Sequence, residues 1–129
     1  MKKILPSLIV GIAIVVGAIL ISGNDSRDTI STPKASNVSI VDGKQIIEID
    51  ARGGYTPRQS FAKAGIPTVV RFNTKNTFDC SSYVRIPSLN ISKTLAQTGS
   101  TDIEIGSQGV QTLQGSCGMG MYPFEVVFE

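Results

Sequence analysis

The chain has 129 residues, enough for one domain with short appendages. Its 12 Lys/Arg exceed its 10 Asp/Glu only through Lys2 and Lys3 at the N-terminus, so the rest is formally neutral. A neutral chain without a basic run is not typical of nucleic-acid binding, and the absence of histidine excludes a His-containing catalytic triad.

An uncharged apolar run occupies residues 4–21. Its length is near the lower limit for a membrane-spanning helix and exceeds the usual apolar region of a cleaved signal peptide. We therefore expect an uncleaved signal anchor in residues 1–22, with a cleaved signal and secretion as the alternative. Lys2 and Lys3 hold the N-terminus in the cytoplasm, which places the following residues in the periplasm or outside the cell. Residues 23–38 are rich in Ser, Thr, Asp and Asn and predict a flexible linker.

Residues 39–129 are predicted to form an all-β domain, because short runs of alternating apolar and polar residues are separated by turn residues. The predicted strands are 44–51, 59–64, 68–73, 82–86, 88–95, 101–105, 110–116 and 123–129. About eight short strands without a helical period indicate an antiparallel β-sandwich or small barrel. We expect the five phenylalanines to lie in its core.

Sulfur is concentrated near the C-terminus, in Cys117-Gly118-Met119-Gly120-Met121. The other cysteine, Cys80, ends a polar turn, and the intervening strands can bring both cysteines to one end of a sandwich. Thiolates and thioethers are soft ligands that select Cu(I), and without histidine a site of two His and one Cys cannot be built. Cys80, Cys117, Met119 and Met121 are therefore candidate copper ligands.

A structural disulfide between Cys80 and Cys117 is the alternative, because an outward-facing domain lies in an oxidising environment. Met119 and Met121 would then fill the core. The residues alone leave both interpretations open. No plausible acid/base pair of carboxylates or phosphate-binding loop is identifiable, so we do not expect an enzyme.

Four segments together resemble a known family. They are Gly54-Tyr55-Thr56-Pro57, Lys63-Ala64-Gly65-Ile66-Pro67, Asp79-Cys80-Ser81-Ser82 and Cys117-Gly118-Met119-Gly120-Met121-Tyr122. The chain resembles the cupredoxins, which include plastocyanin, azurin and the copper domain of cytochrome oxidase subunit II. This resemblance implies an eight-stranded Greek-key sandwich with a metal at one pole.

The resemblance also assigns roles to the sulfur residues. Cys80 falls where a cupredoxin has its mid-chain histidine, and Cys117 falls at the usual cysteine. Met121 falls at the second histidine, whereas Met119 has no clear equivalent and would be a fourth ligand or line the site. Both histidine positions are lost, so blue-copper electron transfer does not carry over directly.

These observations predict a membrane-anchored protein that holds Cu(I) for capture, storage or transfer, with a membrane copper transporter or oxidase as partner. One alternative is an electron-transfer cupredoxin with a modified site. Another is a disulfide-linked β-sandwich that mediates interactions without metal.

Overall fold

Ten β-strands and two 3-10 turns make up residues 37–129, the part of the chain that the computed structural model describes. In chain order the strands are β1 (Val38–Val41), β2 (Lys44–Ala51), β3 (Tyr55–Thr56), β4 (Gln59–Ala62), β5 (Pro67–Thr74), β6 (Tyr83–Ile86), β7 (Ile91–Thr94), β8 (Gly99–Ser107), β9 (Gln111–Cys117) and β10 (Pro123–Phe128). The 3-10 turns are Cys80–Ser82 and Pro87–Leu89. The predicted membrane segment lies outside the described residues, and within 37–129 no helix is long and apolar enough to cross a membrane.

All eight predicted strands are present, with their ends shifted by a few residues. Two strands were not predicted. β1 lies at the boundary of the predicted linker, and β3 has only two residues within a Gly- and Pro-containing turn. The predicted strand 88–95 is shortened to Ile91–Thr94, because Pro87–Leu89 forms a 3-10 turn before it.

The strands form two five-stranded sheets, which confirms the predicted β-sandwich. The first has the order β1-β2-β5-β8, with β3 also paired to β2, and the second has the order β4-β10-β9-β6-β7. The expectation of antiparallel pairing was wrong for two pairs, since β2–β5 and β4–β10 are parallel. The reason is that the chain crosses to the second sheet through β4 between β2 and β5. Such a crossover lets two strands of one sheet run in the same direction.

The core lies between the two sheets and follows the predicted alternation. On β2, Ile47 and Ile49 are fully buried, and on β10 the buried face consists of Phe124, Val126 and Phe128. The opposite face of β2 exposes Glu48 and Asp50, and the opposite face of β10 carries the half-buried Glu125 and Val127. The period of two in the sequence thus corresponds to the two faces of each strand.

Three aromatic rings link the sheets beneath the end that carries the cysteines. Tyr55, Phe72 and Phe124 pack edge to face, with ring centroids 4.9 to 5.8 Å apart. Such pairs stabilise by about 0.5–1.5 kcal/mol each beyond the burial of their area. The prediction that every phenylalanine is a core residue was wrong for Phe78, which is 70% exposed, and for Phe61, which is half-buried on β4 between the buried Ser60 and Ala62. Phe78 lies in the turn between β5 and Cys80 and therefore has no sheet to pack against.

Candidate metal centre

Cys80 begins the 3-10 turn that leads into β6, and Asp79 caps this turn. The Asp79 carboxylate accepts hydrogen bonds from the Ser81 amide (2.8 Å), the Ser81 hydroxyl and the Gly53 amide (2.7 Å). The hydrogen bond from the Ser81 side chain is the largest cause of a lowered Asp79 pKa. Asp79 therefore fixes the turn of Cys80 and ties it to the loop between β2 and β3.

Cys117 is the last residue of β9 and has no exposed surface. It pairs with Val84 in the antiparallel β6–β9 ladder. Because Cys80 lies in the turn just before β6, this pairing brings the two cysteines together. The chain then folds back tightly: the Cys117 amide donates to the Tyr122 carbonyl (3.1 Å), and the Gly120 amide donates to the Cys117 carbonyl (3.0 Å).

The two cysteines are joined in a disulfide, with their Cα atoms 5.6 Å apart. This confirms that the turn before β6 and the end of β9 meet at one end of the sandwich. The Met119 amide also donates a hydrogen bond to Cys80 Sγ, at 3.4 Å. The sequence left a disulfide and a metal-thiolate pair open, and the structure presents the oxidised pair.

Both methionines lie on the surface beside the disulfide. Met119 is 80% exposed and Met121 is 61% exposed, so neither fills the core. The alternative interpretation predicted a structural disulfide together with methionines in the core, and it is wrong about the methionines. The physical reason is the tight loop after Cys117, which turns outward before the chain re-enters the sheet at Pro123.

Two aromatic rings flank this loop. A Cβ added to Gly118 would lie only 2.8 Å from Cδ1 of Tyr83, so the ring of Tyr83 packs directly on that glycine. A Cβ added to Gly54 would lie 3.6 Å from Cδ1 of Tyr122. Gly54 has φ +122°, a conformation that side chains rarely adopt. These contacts hold the loop at both of its ends.

Polar contacts complete the surroundings of the disulfide. The Tyr55 hydroxyl donates to the Tyr83 carbonyl (3.1 Å), and burial, followed by the charge of Asp79, raises the pKa of Tyr55. The Arg85 guanidinium lies 3.5 Å from the Gly118 carbonyl, at the limit of a hydrogen bond. Sequence reasoning missed these supports. Only the Asp79-Cys80-Ser81 spacing carried a local signal, since Asp is a preferred N-cap.

The available donors restrict the kind of metal that fits. Within residues 37–129 no group of three or more His, Cys, Asp or Glu side chains could hold a metal ion. The loop that follows Cys117 carries the thioethers of Met119 and Met121. Two cysteine sulfurs and two thioethers form a soft donor set that suits Cu(I) and not a hard cation.

Residues 12–127 match the family model described as "Cupredoxin-like domain". The chain belongs to the cupredoxin-like domain family. The resemblance proposed from the four sequence segments is thereby confirmed. No curated protein matches this cupredoxin-like chain.

Solved structures share the fold. The metal-binding domain of the Streptococcus pneumoniae D39 Cu(I)-exporting P-type ATPase CopA, described with Cu(I), is 24% identical with a TM-score of 0.64. The similarity covers 71% of this cupredoxin-like chain and 92% of that domain. A copper binding protein in its apo form is 24% identical with a TM-score of 0.66, over 71% of this chain and 94% of that one. Auracyanin B is 9% identical with a TM-score of 0.50, over 74% and 96%.

Proposed function

We propose that this protein binds Cu(I) when the Cys80–Cys117 disulfide is reduced. The observation that carries the proposal is the placement of all the internal sulfur atoms at one pole: two cysteines with Cα atoms 5.6 Å apart and two exposed methionines in the loop that follows. Cysteines this close can both contact one ion once the bond between them is reduced. The exposed methionines are not held in the core and are free to contribute thioethers to the same ion.

The proposed ligands are Cys80, Cys117 and Met121, with Met119 assisting. Thiolates bind Cu(I) strongly and thioethers add weaker, exchangeable ligands. A site with solvent-exposed thioethers favours transfer of the ion more than a buried all-thiolate site would. Two of the structures that share the fold are described as binding copper, one of them Cu(I), which supports copper as the metal.

The proposed role is capture, storage or transfer of Cu(I) outside the cytoplasm and not catalysis. The apolar run at 4–21 and its flanking lysines motivate a membrane anchor with the sandwich on the outer side. A membrane copper transporter or oxidase is the partner that this arrangement would serve. One structure of the same fold is the metal-binding domain of a Cu(I)-exporting ATPase, which supports a transporter.

Anaerobic titration of the reduced full-length protein with Cu(I), against a competing Cu(I) chelator, tests the proposal. We expect one strongly bound equivalent in the native protein and loss of that binding in Cys117→Ser. Met121→Leu should weaken binding more than Met119→Leu, which serves as its matched control. Absence of competitive binding, or unchanged binding in Cys117→Ser, would refute the copper site.

The disulfide itself favours a second candidate, a metal-free interaction module in which the bond is purely structural. This candidate predicts that the reduced protein ignores Cu(I) in the same titration. Electron transfer remains the third possibility raised by the sequence. It predicts a reversible redox couple and an intense thiolate-to-Cu(II) absorption band when the copper-loaded protein is oxidised.

A further inference from the structure

The two cysteines of the disulfide differ in their exposure to solvent. Cys117 has no exposed surface, because it ends β9 inside the core cluster. Cys80 is only partly buried, at the beginning of the 3-10 turn on the rim. The hydrogen bond from the Met119 amide reaches Cys80 Sγ from the exposed loop. Of the two cysteines, Cys80 is therefore the more accessible to a reagent in solvent.

Thiol–disulfide exchange begins when a thiolate attacks one sulfur of the bond, and access decides which sulfur is attacked. We propose that Cys80 is the site at which a small external thiol opens the disulfide, and that this opening creates the Cu(I) site. The second half of this inference rests on the proposed function. The first half concerns only the chemistry of the disulfide.

The reaction is balanced by two equivalents of a small thiol, RSH. The first thiolate forms a bond to Cys80 Sγ, the Cys80–Cys117 bond breaks, and its electron pair leaves on Cys117 Sγ. The second thiolate attacks the R-group sulfur of the mixed disulfide, which forms RSSR and releases Cys80 as a thiolate. The protein gains two electrons, the thiol pair loses them, and the two thiol protons pass to the cysteines or to solvent.

Copper binding follows from this reaction because thiolates, and not disulfide sulfurs, are strong metal ligands. Within residues 37–129 of the oxidised protein, the remaining soft donors are the two thioethers of Met119 and Met121, on an exposed loop. After exchange at Cys80, both cysteines contribute ligands beside those methionines. The redox state of one bond then determines whether the pole accepts Cu(I).

The first arm of the test uses the unmutated oxidised full chain and needs no copper. The protein is exposed briefly to limiting glutathione, quenched with N-ethylmaleimide and digested with trypsin. Cys80 and Cys117 then fall in different fragments, 76–85 and 94–129. We expect about tenfold more glutathione on the Cys80 fragment, because exchange follows access. Equal labelling, or an excess on the Cys117 fragment, would overturn the assignment of Cys80.

A matched pair of single-cysteine variants provides the control for access. Glutathione disulfide should modify Cys80 in Cys117→Ser about tenfold faster than it modifies Cys117 in Cys80→Ser, and the difference should disappear in denaturant. Equal rates in the folded variants would contradict the proposal. If either variant does not fold, the fragment analysis of the native protein still decides.

The second arm measures Cu(I) binding by the oxidised and the reduced full chain against the same chelator. If the reduced form binds Cu(I) and the oxidised form does not, the switch is supported. Equal binding by both forms overturns it. If neither form binds Cu(I), the proposed function and the switch both fail, while selective exchange at Cys80 is still decided by the first arm. The two failures are thereby distinguished.

Discussion

Reduction of the Cys80–Cys117 disulfide should destabilise the sandwich by about 4 kcal/mol. The two cysteines are separated by 37 residues. In the chain-entropy model, closing a loop of this size lowers the entropy of the unfolded chain by about 13 cal/mol/K, which corresponds to about 4 kcal/mol at 25 °C. Typical domains have a total stability of about 5–15 kcal/mol, so the reduced protein should remain folded with a much smaller margin.

Cu(I) should restore part of this loss if it binds the folded dithiol. At a free concentration 100 times the dissociation constant, a ligand specific for the native state stabilises it by about 2.7 kcal/mol. The expected order of stability at that concentration is oxidised protein, reduced protein with Cu(I), and reduced protein alone. If the disulfide is purely structural, reduction should still lower the stability, but Cu(I) should not change the stability of the reduced protein.

Urea unfolding of the full chain, followed anaerobically in the three states, measures these differences. With typical urea slopes for small proteins, a loss of about 4 kcal/mol lowers the midpoint by about 1–4 M. The double variant Cys80→Ser/Cys117→Ser is the matched control, and its midpoint should respond neither to reductant nor to Cu(I). Coincident midpoints for oxidised and reduced protein would refute the entropic argument. A copper effect in the double variant would refute the cysteine site.

Three further outcomes follow from the structure. Gly115→Ala should lower the free energy of unfolding by about 1–3 kcal/mol, because its Cβ would lie 2.1 Å from Cζ of the buried Phe124. Phe124→Leu removes that atom and should relieve most of the penalty in urea unfolding. Gly118→Ala should lower the free energy of unfolding by less, about 1 kcal/mol, because Tyr83 is 37% exposed and can move outward. The same substitution should displace the loop that carries the methionines and so weaken Cu(I) binding in the chelator competition. Unchanged affinity would contradict the role of the Tyr83 ring in holding this loop. Asp79 has a lowered pKa in the folded state, so its contribution to stability is present above the ordinary Asp pKa of about 4 and is lost as the pH falls through the folded value. Asp79→Asn should therefore show a shallower loss of stability between neutral and acidic pH in urea unfolding, and an identical pH profile would refute this account.

Much of the fold could be predicted from local patterns. The alternation in β2 and β10 identified their buried faces, because side chains on a strand point to opposite sides with a period of two. Turn residues marked the gaps between the strands. β1 was missed because three of its four residues are exposed, so little alternation marks it.

Sheet pairing and the disulfide depended on contacts between distant parts of the chain. Nothing local to β2 or β5 indicates that they are parallel neighbours, since this pairing results from the crossover through β4. The sequence likewise could not choose between a disulfide and a thiolate pair for Cys80 and Cys117. Their approach requires the register that pairs β6 with β9.

The sequence by itself determined which chemistry is possible: it contains two thiols, two neighbouring thioethers and no histidine, which directs any metal site toward a soft ion. Only the tertiary structure decided how these groups are arranged. It joined Cys80 to Cys117, left Cys117 fully buried with Cys80 at the rim, and turned Met119 and Met121 toward solvent. The physical reason is that composition fixes the available ligands, whereas distance and exposure are set by strand register and by the tight loop between β9 and β10.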